Sequence, residues 1–286
     1  MTHPQALSGL AEVADRYDVL LCDVWGVIHN GRERFPAACA ALQRFRAERG
    51  PVILISNAPR PSPDVQSQLA ELEVPRDAWT AFITSGDATR TLLSARAPGP
   101  AWHIGPERHD VLYDGLGLTF AGPSDAAFIA CSGPVHDEVE TPEDYRADLS
   151  VAADRGLTMV CANPDRLVHR GEQLIYCAGA LADLYVQLGG DVVMAGKPYP
   201  AIYDLCLAEA RARTGQAEPR VLCIGDGIPT DVQGAAAQGL DCLFIAGGLH
   251  GLETADTAGA LDETKVASLL AEARTHAAYV MKTLSW

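Results

Sequence analysis

Four short segments carry side chains whose types and spacing could do chemistry, and each follows an apolar, β-branched run. In the first, Leu20, Leu21 and Cys22 lead to Asp23, then to Val24, Trp25 and Gly26, with His29 and Gly31 a few residues on. A carboxylate that closes a buried strand and is followed by a glycine loop sits at the strand's carboxyl end, where open parallel sheets place their ligands. In the second, the run 52–55 ends in Ser56 and Asn57 before Ala58, Pro59 and Arg60. A hydroxyl, an amide and loop N–H groups suit phosphate oxygens. In the third, the run 192–195 leads to Lys197, locked between Gly196 and Pro198 at a helix entrance. A cation is unfavourable near a helix N-terminus, which points to an anion close by. In the fourth, the run 221–224 and Gly225 lead into Asp226 and Asp231, with Gly227 and Pro229 between the acids. Hard oxygen ligands on a tight loop suit Mg²⁺, which keeps several waters and takes one or two protein carboxylates. Each segment also has a plainer reading: Asp23 and Ser56-Asn57 as turn residues, Lys197 as a solvated lysine, Asp231 as a helix cap.

The elements that must position these residues follow from the pattern. Continuous apolar runs at 19–24, 52–56, 81–84, 102–105, 127–132, 158–162, 192–195, 221–225 and 242–246 read as strands buried on both faces. Between them lie Ala-, Leu-, Glu- and Arg-rich stretches at 36–49, 63–72, 87–96, 142–155, 179–188, 200–214, 231–238 and 262–284, which read as helices. The last is expected to be one amphipathic terminal cover. The alternation predicts an α/β fold with parallel strands and crossover helices. Residues 97–100 and 188–191 read as hinges, which divides the chain into a split core, 1–94 and 191–286, and an inserted domain, 95–190. The crevice between two such domains is the default ligand site.

Composition excludes several classes of function. Among 286 residues, 22 Lys+Arg stand against 37 Asp+Glu, a formal charge of −15, with 48% apolar and 21% charged residues. That balance excludes disorder as the main state and argues against nucleic acid, whose phosphate backbone requires a basic surface. A bound cation would still let an acidic chain accept a small phosphorylated ligand. No apolar run reaches the length of a membrane span, and the opening residues lack a secretory profile, so no membrane partner and a cytoplasmic location are expected. The eight cysteines form no C-x-x-C pair and read as small core residues.

Taken together and in this order, the four segments resemble the haloacid dehalogenase superfamily. The similarity is strongest to its class IIA, whose large α/β cap is inserted between the second and third motifs. That class includes nucleotide, pyridoxal-phosphate, phosphoglycolate and nitrophenyl phosphatases. The resemblance extends through Thr84-Ser85-Gly86-Asp87, Ala162-Asn163-Pro164-Asp165 and Ala178-Gly179-Ala180-Leu181. It implies a Rossmann-like, doubly wound core carrying a C2-type cap. It further implies that Asp23 attacks phosphorus and forms an aspartyl-phosphate, and that Ser56, Asn57 and the amides at Trp25 and Gly26 bind the transferring group. Lys197 would neutralise Asp23 and the phosphoryl oxygens. Asp23, the Trp25 carbonyl, Asp226 and Asp231 would hold Mg²⁺. His169 and Arg170 follow a cap loop that in similar proteins faces the substrate, and pairing of two chains through cap surfaces is a further expectation.

The sequence departs from this pattern at Trp25. Phosphatases of the superfamily carry there a second aspartate that protonates the leaving oxygen, and an indole has one N–H and no useful acidity. General acid–base assistance is worth about 10²- to 10⁴-fold, so alkyl phosphates should be hydrolysed slowly unless another group substitutes. His29 is the nearest candidate. The same departure admits two alternatives: a phospho-ligand-binding or non-turnover homologue, and, because dehalogenases of the superfamily place an aromatic residue here, a carbon–halogen hydrolase. The latter need no metal and lack the paired acids at 226 and 231.

Overall fold

The computed structural model describes residues 3–170 and 173–286, with the side chains of residues 169, 170, 173 and 174 outside the described part. In chain order the strands are β1 (Gln5–Ala6), β2 (Val19–Asp23), β3 (Val52–Ser56), β4 (Ala81–Thr84), β5 (Ala101–Ile104), β6 (Phe128–Cys131), β7 (Thr158–Cys161), β8 (Leu167–Arg170), β9 (Gln173–Tyr176), β10 (Asp191–Met194), β11 (Val221–Gly225), β12 (Asp241–Ile245) and β13 (Tyr279–Met281). The helices are α1 (Pro36–Glu48), α2 (Ser62–Glu71), α3 (Ser85–Ser94), α4 (Arg146–Asp154), α5 (Ala178–Gln187), α6 (Pro200–Thr214), α7 (Gln233–Ala237) and α8 (Glu263–Glu272).

The chain divides into two compact units, one of Met1–Ser56, Gln66–Ile83 and Tyr203–Trp286, the other of Asn57–Val65 and Thr84–Ile202. Segment 95–190 and both expected hinges lie within the second unit. In the first unit the strands form a sheet in the order β1-β13-β12-β11-β2-β3-β4. β2 pairs in parallel with both β11 and β3. All five residues of β2 and of β11 are buried, as expected of strands covered on both faces. Leu20, Leu21, Ile53, Leu243 and Phe244 are fully buried or nearly so, and form the apolar floor beneath the strand ends.

In the second unit the order is β10-β7-β6-β5, with parallel pairing throughout, and β8 and β9 form a separate antiparallel pair. Ile129, Met159, Leu181 and Tyr185 belong to its core. The Tyr185 hydroxyl donates to the Leu157 carbonyl at 2.6 Å, which satisfies the one polar atom this ring brings inside. The cysteines are buried in both units, as small core residues.

The structure corrects the sequence reading at 262–284. α8 ends at Glu272, and Arg274 adopts a left-handed φ of 54° that turns the chain. Tyr279, Val280 and Met281 then form β13, between β12 and β1. Tyr279, Val280 and Met281 are all buried. Three consecutive buried side chains fit a strand covered on both faces, whereas an amphipathic helix would turn one of them to solvent. The expected helix at 231–238 is also split, into a π-type turn at Ile228–Val232 followed by α7.

Phe244 is fully buried and Leu252 is 96% exposed. Phe244→Ala should therefore cost about 3–5 kcal/mol, whereas Leu252→Ala should stay within about 0.5 kcal/mol of the parent. Urea-unfolding midpoints of the two variants check this.

Candidate active site

Register brings the acids of the first unit together. Cys22 lies opposite Ile224, and Asp23 opposite Ile55. Asp23, Ser56 and Asp226 therefore project from the carboxyl ends of three adjacent parallel strands, where such sheets open towards ligands. Asp231 joins them from the π-type turn, a feature frequent at functional sites. One carboxylate oxygen from each of Asp23, Asp226 and Asp231 lies within 4.8 Å of the others, and all three residues are buried. Two unit charges at that spacing repel by about 3–4 kcal/mol at an effective dielectric of 20. Three buried oxygen donors so gathered fit a hard divalent cation such as Mg²⁺.

The surrounding backbone is shaped for this convergence. Gly26 has φ +82°, and a Cβ there would run into the Asp226 carboxylate; a Cβ at Gly248 would do the same. Asp226 accepts the Leu249 N–H at 2.8 Å, and Asp231 accepts the Gly227 N–H at 3.0 Å and the Thr230 hydroxyl at 3.2 Å. Asp231 thus stabilises its own turn while presenting a carboxylate to the cluster. The part played by the 247–249 loop was not identified from the sequence, although the Gly247-Gly248 pair after a strand marks a close backbone approach.

The loop after Asp23 is closed on itself. Gly26 donates to the His29 carbonyl at 2.8 Å, and Ile28 to the Val24 carbonyl at 2.9 Å. Trp25 is 55% exposed, while His29 is 2% exposed. His29 is therefore no solvated loop residue. Its Nδ1 accepts the Gly31 N–H at 3.0 Å, which assigns the ring proton to Nε2. Burial holds its pKa down to about 4, so the ring is neutral near pH 7.

In the second unit the remaining motifs meet around Asn57. Its Oδ1 accepts the Lys197 N–H at 2.7 Å, and its Nδ2 donates to the Lys197 carbonyl at 3.2 Å and to Asp165 Oδ1 at 3.1 Å. Lys197 is 3% exposed. A Cβ on Gly196 would lie 2.6 Å from Asn57 Oδ1 and 2.8 Å from Ser85 Oγ, so only glycine lets these loops close. Ser85 donates to the Ala162 carbonyl at 2.5 Å, Thr84 to the Arg60 carbonyl at 2.7 Å, and Gly86 to the Ala58 carbonyl at 3.1 Å. The Asn57 amide is thus spent on holding the lysine loop, a positioning role that its residue type alone does not reveal. His169 and Arg170 lie in β8, and their side chains fall outside the described residues.

A family model described as haloacid dehalogenase-like hydrolase matches residues 20–119, and a HAD-hydrolase-like model matches residues 194–273. A solved haloacid dehalogenase-like hydrolase from Brucella suis 1330 is 44% identical, with a TM-score of 0.82 over 98% of this chain and 99% of that one. The D-glycerol 3-phosphate phosphatase of Mycobacterium tuberculosis is 26% identical over 84% of this chain. The chain spans 66% of that relative's length, just under two thirds. A structure of the mycobacterial glycerol phosphate phosphatase with magnesium matches at a TM-score of 0.63 and 26% identity, over 88% of this chain and 78% of that one.

Two outcomes test this geometry. Asn57→Leu leaves the Lys197 N–H and carbonyl without the amide and should cost about 1–3 kcal/mol; an unchanged unfolding midpoint would show that the clamp is dispensable. The second concerns pH. Burial lowers His109 to about 4, with Arg108 and Arg60 adding to the effect, as burial alone does for His29. Unfolded, both rings take up a proton near pH 6.5, so the unfolded state binds more protons between that pH and 4. Stability should fall as pH falls from about 6.5 to 4, by at most about 3 kcal/mol for each group, and neither group should contribute a slope above about pH 7.5. Thermal midpoints across pH 4.5–8 read this, and His109→Asn should show the shallower slope.

Proposed function

Because the chain belongs to the haloacid dehalogenase-like hydrolases, we propose that it is a Mg²⁺-dependent phosphatase acting on a small phosphorylated metabolite. The observation that carries the reading is the convergence of three buried carboxylates within 4.8 Å at the strand ends. The mycobacterial relative solved with magnesium supports the choice of ion.

Asp23, the Trp25 carbonyl, Asp226 and Asp231 would hold Mg²⁺. Bound there, the ion would supply positive charge that offsets the carboxylates and the phosphoryl oxygens. In the first half-reaction an Asp23 oxygen attacks phosphorus in line, the bond from phosphorus to the ester oxygen breaks, and the leaving oxygen departs with the electron pair. Water then attacks the aspartyl-phosphate, releasing inorganic phosphate and restoring Asp23. Ser56 and the loop amide at Trp25 orient the transferring group, the Gly26 N–H being taken by the His29 carbonyl, and Lys197 enters as the cation for its oxygens. Such a reaction depends on alignment and distributed positive charge more than on elaborate covalent chemistry.

Trp25 supports a second reading, in which the phosphoryl group is bound or transferred to Asp23 but released slowly. Without an acid at position 25, both leaving-group protonation and water activation lose assistance. A carbon–halogen hydrolase would have no use for the cluster that includes Asp226 and Asp231, and its halide release would survive chelation.

Phosphate release from a broad ester panel should require Mg²⁺ and stop in chelator. Asp23→Asn should lower it by at least about 10³-fold, and Lys197→Ala by about 10²- to 10³-fold. Turnover persisting in Asp23→Asn would sink the nucleophile assignment. An acid-stable phosphoenzyme accumulating without release would favour the second reading.

A further inference from the structure

Trp25 stands two residues beyond the buried Asp23, yet is 55% exposed. Its exposure does not come from a loose loop. The six-membered ring of the indole lies over Gly31, whose φ is +83° and where any Cβ would strike the ring. The His29 imidazole meets the indole edge to face, with centroids 5.3 Å apart and planes at 77°. His29 is itself fixed by the Gly31 N–H. Trp25 and His29 also form an isolated backbone bridge, and His29 forms a second one with Arg34. A glycine, an imidazole and a closed turn thus hold one side of a large aromatic ring and leave more than half of the residue open.

We propose that Trp25 is a stacking platform for the leaving group, and that the chain acts on phosphate esters of planar aromatic alcohols. This rests on the phosphatase reading above and narrows its substrate class. Two independent arguments converge on it. A fixed, open indole offers a π-face to a flat group, at the centroid spacings of about 4.5–7 Å that aromatic pairs adopt. The same residue offers no acid to protonate the leaving oxygen, which favours a leaving group that is stable as an anion. An aryl oxide meets this far better than an alkoxide, a phenol having a pKa near 10. Trp25 thereby takes the role of a specificity residue at the position where the superfamily's phosphatases use an acid.

The test separates stacking from turnover by measuring binding of phenylphosphonate, cyclohexylphosphonate and methylphosphonate to the Mg²⁺-loaded protein by calorimetry. The parent should prefer phenylphosphonate over the other two by about 2- to 10-fold. Trp25→Phe should keep most of the preference and Trp25→Ala should lose it, with unchanged circular dichroism showing that both are folded. If Trp25→Ala fails to fold, Trp25→Leu provides the same comparison. A preference that survives loss of the ring overturns the proposal, as does cyclohexylphosphonate binding as tightly as phenylphosphonate. If the parent binds none of the three, the phosphatase reading fails, and this inference with it.

Discussion

Three buried carboxylates held within 4.8 Å of one another repel strongly enough that the chain must be built to tolerate them. Most of what is distinctive in the first unit follows from that constraint. Parallel strands supply the position, because β11, β2 and β3 are adjacent and end at one edge. Glycine supplies the room: at 26 and at 248 a side chain would occupy the volume of the Asp226 carboxylate. Backbone N–H groups from Gly227 and Leu249 supply partial positive charge to Asp231 and Asp226. Such donors stabilise ionised carboxylates, but they do not cancel three charges, and a divalent cation is the economical completion.

The second unit solves a different problem, fixing one lysine by both polar groups of its backbone. Asn57 pairs with both the N–H and the carbonyl of Lys197, in the manner of a single rung of sheet. Gly196, Ser85 and Asp165 close around the same amide. An amide suits this task because it donates and accepts at once, which a carboxylate or a hydroxyl at position 57 would do less completely.

Much of this was legible in the sequence, and the boundary between what was and what was not has physical causes. β2, β3 and β11 announce themselves as continuous apolar runs ending in polar residues, since burial on both faces removes any alternation. β13 was read as helix because three apolar residues at the end of an Ala-rich stretch fit either period, and only their burial between β12 and β1 decides. β1 is two residues long, too short to carry a pattern. Among the described residues β8 and β9 pair with each other alone, and at four residues each they are too short to carry a clear alternation. At the site, Asp23, Asp226 and Asp231 were visible because they follow buried strands in a fixed order with Ser56-Asn57 and Lys197, although each alone also reads as a turn or cap residue. Asn57 was visible as a residue but not as a clamp, because its partners are backbone atoms 140 positions away in the chain.

The split first unit has a consequence for the order in which the molecule is made. β2 needs β11 as its neighbour, yet about 200 residues are synthesised between them, which at about 5–20 residues per second takes on the order of 10–40 s. During that interval the apolar faces of β2 and β3 wait beside a nascent chain whose contiguous Thr84–Ile202 stretch can complete its own core. The carboxylate site is therefore among the last features to form on the ribosome, because β2, which carries Asp23, is flanked on one side by β3 early and on the other by β11 only late.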